Sequence, residues 1–272
     1  MRIVPPTRLR KAVPCIACVL LAGQAGHALA AIDSLADRYI DRRVATEPST
    51  PESRERALAG GTPDPGDNSV SIGLAYQRAA GANTVTTPYG LDLSFNDWDF
   101  IVTGDGYSHT SGAGQGVDGF ADVGVTASWT HKFETHWAGG ASFTLNAPTG
   151  GSVGSARASE GVKVKVAYLP TKEVSIIVGG QLGRDEEAQA GVAEYSSFVL
   201  ARMQYMPDHW RTIALGASMG HAAGAGQVTA VNAEYDFPIA PRMGLGGAFT
   251  ATHTLAAGHS SNGVEFDLNF TF

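Results

Sequence analysis

The chain ends on nine residues, Val264-Glu265-Phe266-Asp267-Leu268-Asn269-Phe270-Thr271-Phe272, in which apolar and polar side chains alternate without a break. A strand sends successive side chains to opposite faces, so this run presents Val, Phe, Leu, Phe and Phe to one medium and Glu, Asp, Asn and Thr to another. One medium must be oily and the other wet. The pattern recurs from Val70 onward, with turn residues between segments. The apolar faces are Val70, Ile72, Leu74, Tyr76; Leu91, Leu93, Phe95; Trp98, Phe100, Val102; Val123, Val125, Ala127, Trp129; Trp137, Ala141, Phe143, Leu145; and Val162, Val164, Val166, Tyr168. They continue with Val174, Ile176, Val178, Leu182; Val199, Ala201, Met203, Tyr205; Ile213, Leu215, Ala217, Met219; Val231, Ala233, Tyr235, Phe237; and Met243, Leu245, Phe249, Ala251, before the terminal segment. Twelve such segments, an even number, predict an all-β up-and-down antiparallel barrel over 68–272, apolar outside and polar inside.

The final strand with its terminal Phe272 resembles the signal by which the barrel-insertion machinery reads bacterial outer-membrane proteins. The other end of the chain agrees. Arg2, Arg8, Arg10 and Lys11 precede a short apolar stretch and Ala28-Leu29-Ala30, so 1–30 reads as a secretory signal peptide cleaved near Ala30. No later run approaches the roughly 20 apolar residues of a transmembrane helix. Cys15 and Cys18 lie too early in the apolar region for a lipidation site and leave with the leader, so neither a disulfide framework nor a thiolate metal site is expected. Without the four leader cations, 15 Lys and Arg remain against 26 Asp and Glu, a net charge of −11, which argues against nucleic acid as a partner.

Residues 31–67 break the barrel pattern. Ile32, Leu35, Tyr39, Ile40 and Val44 recur at helical spacing, and 46–67 is rich in Pro, Glu, Ser, Arg and Gly, which predicts a short helix and a flexible tether, either a plug for the pore or a simple leader.

Two regularities favour a membrane barrel over a soluble sandwich. Connections read as short at 96–97, 169–172, 206–209 and 238–241 and as long at 104–117, 147–160, 183–191 and 254–262. Trp98, Trp129, Trp137, Tyr168, Tyr205, Trp210, Tyr235 and Phe272, with Phe95, Phe237 and Phe270, gather at the short-turn ends, as amphipathic rings do at a membrane interface.

The opposite faces then line the lumen. Asp92, Asp99, Asp122, Glu173, Glu194, Glu234, Asp236, Glu265 and Asp267 are expected to point inward with Lys163, Lys165, Arg202 and Arg242. The acids concentrate near the beginning and end of the barrel, which meet where it closes, while Lys163, Lys165 and Arg202 fall between. An acidic wall facing a basic one follows. It either sets a transverse field across a pore or pairs up to fill a closed lumen.

The stretch Gly116-Val117-Asp118-Gly119-Phe120-Ala121-Asp122-Val123-Gly124-Val125 and the later Leu145-Asn146-Ala147-Pro148-Thr149-Gly150 resemble the Gly-x-Gly-Asp-Val strand start and Pro-Thr-Gly strand exit of the outer-membrane family associated with the meta-pathway of phenol degradation. Here Gly119-Phe120-Ala121-Asp122 replaces the tighter Gly-Asp pair, and Ala147 stands where that family has a larger apolar residue. The resemblance implies a channel for aromatic and other small hydrophobic compounds. A second short likeness, His259-Ser260-Ser261-Asn262-Gly263, resembles the His-x-Ser-Asn-Gly segment of outer-membrane lipid hydrolases and would make Ser261 the nucleophile and His259 its base. Strand parity counts against it, because both residues share register with the inward Glu265 and Asp267. His109, His131, His136, His209, His221 and His253 are scattered without metal spacing. The expectation is therefore a non-enzymatic barrel without cofactor in the outer membrane of a Gram-negative bacterium. It contacts membrane lipids and passes a small-molecule solute; a lipid hydrolase and a non-conducting surface barrel are the alternatives.

Overall fold

The computed structural model describes residues 68–272, apart from 80, 96, 113–116, 121, 149–157, 172, 187–192, 208–210, 223–225, 241 and 256–257. The expected signal peptide, the 31–67 extension and Trp210 lie outside the described residues.

Thirteen strands follow one another: β1 (Ser69–Ala79), β2 (Ala82–Phe95), β3 (Trp98–Gly112), β4 (Val117–Gly119), β5 (Val123–Glu134), β6 (Trp137–Ala147), β7 (Ser159–Tyr168), β8 (Val174–Glu186), β9 (Ala193–Tyr205), β10 (Thr212–Ala222), β11 (Gly226–Ala240), β12 (Met243–Thr254) and β13 (His259–Thr271). Every pairing is antiparallel, consecutive strands are neighbours, and β1 pairs with β13 from Ser69↔Thr271 to Ala79↔Ser261, which closes the sheet. Only β4 stands outside the ring, pairing over three residues with the far end of β3, which itself pairs with β5. The result is a closed twelve-stranded antiparallel barrel with no free edge. The shortest ring strand, β7, has 10 residues, enough for the roughly 9–11 that a tilted strand needs to cross a bilayer.

Alternation decides which residues face which way. Even-numbered β13 residues lie outside, and their cross-strand partners follow: Phe266 opposite Leu74, Leu268 opposite Ile72, Phe270 opposite Val70. The outer face is apolar and bare, with Ile72 57% exposed and Leu215 54%, as suits a wall solvated by acyl chains and no soluble monomer. The described residues hold no helix long and apolar enough to cross a membrane. One end of the barrel, here the terminal rim, carries the start of β1 and the finish of β13; the other is the distal rim.

The outward rings gather near the terminal rim. Trp98 stands opposite Trp129 and next to Phe95, Trp137 packs on Tyr168 at 5.0 Å between ring centroids, and Tyr235 packs on Phe237 at 5.5 Å. His131 and Phe133, which continue the outward parity of Val123, Val125, Ala127 and Trp129, extend this belt around Trp129.

The connections differ from expectation. Residues 104–112 are not loop but the distal part of β3, held to β2 through pairs such as Thr84↔Thr110, and 259–262 belong to β13. Gly and Ser there mimic a loop in sequence, yet the backbone of both stretches finds ladder partners, on β2 and on β12. Distal connections are thus short as well as long: the β1–β2 hairpin turns at 80–81, with Gly81 at φ +84, a left-handed backbone suited to glycine.

Candidate functional site: the barrel lumen

The inward faces divide the lumen into two levels. Toward the terminal rim, inward side chains are sealed. Asp92, Asp99, Lys163, Lys165, Arg202, Glu234, Asp236 and Asp267 range from 1% exposed (Asp267) to 7% (Lys163), although all face the barrel interior. A side chain beside a wide water column would be exposed, so this level is filled. Beneath and beside the charges, Ile101, Ala138, Ala167 and Ile177 of β3, β6, β7 and β8, with Leu169 and Met206 just beyond the ends of β7 and β9, form one buried apolar cluster.

The charges are engaged with partners. The Arg202 guanidinium donates Nη1 to Glu234 Oε1 at 2.9 Å and Nη2 to Oε2 at 2.7 Å, a two-pronged pair between β9 and β11 that reaches across β10. Gly216 is the residue beneath that crossing, register partner to both Arg202 and Asn232. A Cβ there would overlap the Asn232 amide, which donates to Glu234 Oε1 at 3.0 Å. Gly246 does the same for the acids: it lies between Asp236 on β11 and Asp267 on β13, and a Cβ there would sit 2.5 Å from Asp267 Oδ1 and 2.6 Å from Asp236 Oδ1. Asp267 also accepts from Asn269 Nδ2. Bare strands between charged ones let long side chains lie across the wall and meet, and buried charge is tolerated only when so matched. Asp92, Asp99, Lys163, Lys165, Asp236 and Asp267 all make interactions of this polar or electrostatic kind.

Toward the distal rim the lining is mostly uncharged and much of it is reached by solvent. Thr84 bonds Thr110 at 3.0 Å, Asn146 Nδ2 donates to Ser159 Oγ at 3.0 Å, and Thr252 bonds Ser261, all partly exposed along with Gln181, Thr250 and Glu265. This level forms a hydroxyl- and amide-lined vestibule. One apolar patch interrupts it, where Phe198, Ala222 and Val228 pack together on β9, β10 and β11.

The expected inward charges therefore separate. Eight are gathered at the sealed level, while Asp122 and Glu265 lie partly exposed on the distal side. Acids occupy β3, β2, β13 and β11, with the acid-free β1 and β12 between them, and bases occupy β7 and β9. The two groups touch at Arg202–Glu234 and do not face each other across open water there. Two expectations need correction. Glu173 is exposed in the turn before β8, where Thr171 Oγ1 accepts from its backbone N–H at 3.2 Å, because the strand begins one residue later. Arg242 is a turn residue between β11 and β12 with φ +63, and not a strand residue of the lumen wall. The Glu194 side chain lies outside the described residues.

The Ser261 hydroxyl faces inward and bonds Thr252, as parity required, and the outward hydroxyl is its neighbour Ser260, 3.0 Å from His253 Nδ1. The His259 side chain lies outside the described residues. Among the described residues no group of three or more His, Cys, Asp and Glu is placed to hold a metal ion.

No protein-family model matches the sequence, and no curated protein matches it. Solved structures do. An outer-membrane channel from Pseudomonas putida F1 superposes with a TM-score of 0.60 at 13% identity, over 76% of this chain and 96% of that one. The NanC porin gives 0.56 at 11% identity over 75% and 100%. The KdgM porin, solved in complex with disordered oligogalacturonate, gives 0.51 at 11% identity over 74% and 99%. At such identities the likeness is one of fold, and the fold shared is the closed outer-membrane barrel.

Proposed function

We propose that this chain is an outer-membrane barrel that acts as a passive channel for small molecules, without enzymatic activity, in a Gram-negative bacterium. The observation that carries the reading is the polarity of the closed barrel: an apolar exterior around a largely polar interior whose distal lining is in part reached by water. A solute enters the vestibule freely and meets the sealed level, where Asp92, Asp99, Asp236 and Asp267 face Lys163, Lys165 and Arg202, so that level sets size and charge preference. Asp122 and Glu265 extend the acidic side outward, and Trp98, Trp129, Trp137, Tyr168, Tyr205, Tyr235 and Phe272 anchor the wall at the lipid interface. The likeness in fold to channels and porins supports the same reading.

The resemblance of 116–125 and 145–150 to the phenol meta-pathway family favours aromatic or other small hydrophobic solutes as the cargo. A liposome-swelling assay with neutral solutes of graded size tests the channel reading. Swelling confined to the smallest solutes is expected; no swelling with any of them overturns the reading in favour of a non-conducting surface barrel.

A further inference from the structure

Near the β13–β1–β2–β3 seam the outer wall carries a polar row beyond its apolar band. On consecutive strands β13, β1, β2 and β3, the residues Asn262, Arg78, Asn83 and Ser111 stand in register. The outward row immediately toward the membrane is Val264, Tyr76, Val85 and His109 on the same strands. On β13, β1 and β2 the apolar band therefore ends between these two rows, while on β3 it ends one row earlier, where His109 bonds Asp118, and a cation lies on the first polar row beyond it.

Arg78 differs from every other described Lys and Arg. Arg184 is paired with Glu160 at 3.4 Å and Arg202 with Glu234, and Lys132, Lys163, Lys165, Arg211 and Arg242 all have partners. Arg78 alone among the described residues has none, and it is exposed. Beside it, Asn83 is oriented: its Oδ1 accepts from the Tyr76 hydroxyl at 2.8 Å, which leaves its amide N–H groups to donate. A guanidinium and an amide, both donors, thus project side by side at the edge of the apolar band. An unpaired cation at that depth calls for an anion supplied by the surroundings, and a phosphate at the lipid headgroup level matches both the charge and the number of donors.

We propose that Arg78 and Asn83, flanked by Asn262, form a binding site for the phosphate of an anionic lipid in the leaflet around the distal rim. The site rests on the membrane placement of the barrel and not on transport through it.

The test uses the full chain refolded into phosphatidylcholine bilayers containing a minor fraction of phosphatidic acid, with retained lipid read by native mass spectrometry. The wild type should retain phosphatidic acid in preference to phosphatidylcholine, Arg78→Gln should weaken that retention about tenfold, and Arg78→Lys should fall between. Arg184→Gln, which removes a cation already paired, should leave retention unchanged, and inorganic phosphate should not displace the lipid. Equal retention by wild type and Arg78→Gln overturns the proposal. Equal loss in Arg184→Gln also overturns it, by showing a diffuse field, as does displacement by inorganic phosphate alone, by showing a site for the free ion.

Discussion

The two levels of the lumen are built from the same strands and obey the same alternation, yet they solve opposite problems. At the terminal level charged side chains, apolar groups and short hydroxyls such as Ser71, Ser128 and Thr212 are all sealed from water; at the distal level hydroxyls and amides such as Thr84, Asn146 and Thr250 are partly exposed. Part of the difference lies in what the intervening strand offers. Arg202 and Glu234 meet because Gly216 between them has no side chain, and Asp236 and Asp267 converge over Gly246 for the same reason. A twelve-stranded ring is wide, and long side chains laid over bare strands help to close it.

The largest effect that would break this contrast is loss of one member of the buried pair. Glu234→Ala strands the Arg202 guanidinium and should destabilise the barrel by about 3–5 kcal/mol, measured by urea unfolding in lipid vesicles. Arg202→Met combined with Glu234→Leu should recover most of that loss. Thr250→Val in the vestibule should move stability by under about 0.5 kcal/mol, and a comparable loss there would erase the distinction between the levels.

A smaller effect sharpens it. Gly246→Ala pushes a methyl against two carboxylates and should cost about 1–3 kcal/mol, whereas Gly161→Ala, on the vestibule side with its nearest neighbour 3.6 Å from the new Cβ, should be close to neutral. The same unfolding experiment compares them. If both are neutral, the sealed level is looser than described.

Much of this was legible in the sequence, and the rest was not for identifiable reasons. Alternation placed all twelve ring strands and the inward parity of Glu265 and Asp267, because the period of two leaves no choice once one face is apolar. It could not mark the apolar lining. Phe100-Ile101-Val102 and Ile176-Ile177-Val178 are apolar throughout, so the inward member of each run, Ile101 or Ile177, is hidden between outward neighbours. The Arg202–Glu234 pair was equally hidden, since it depends on a register across β10 that no local pattern states. The Gly- and Ser-rich distal ends of β3 and β13 read as loops because composition there is weak evidence against a strand whose partners are far away in sequence.

Charge preference is a finer probe of the sealed level. With the acidic arc over β3, β2, β13 and β11 outnumbering the bases, the channel should pass small cations ahead of anions, and more so at low salt where screening is weak. Asp236→Asn with Glu265→Gln and Asp267→Asn should reduce that preference while leaving Arg202–Glu234 in place. Reversal potentials in a salt gradient check this; selectivity unchanged in the triple variant would remove these carboxylates from the conducting path.

The central claim is that the terminal level, and not the vestibule, limits passage, and single-channel conductance in planar bilayers tests it most directly. The wild type should conduct weakly, Ile101→Ser with Ile177→Ser should raise conductance severalfold by opening the apolar side of the sealed level, and Thr250→Val with Thr252→Val should leave it unchanged. A wild type that already conducts as well as the Ile101/Ile177 variant, or a vestibule variant that changes conductance as much, would contradict the account.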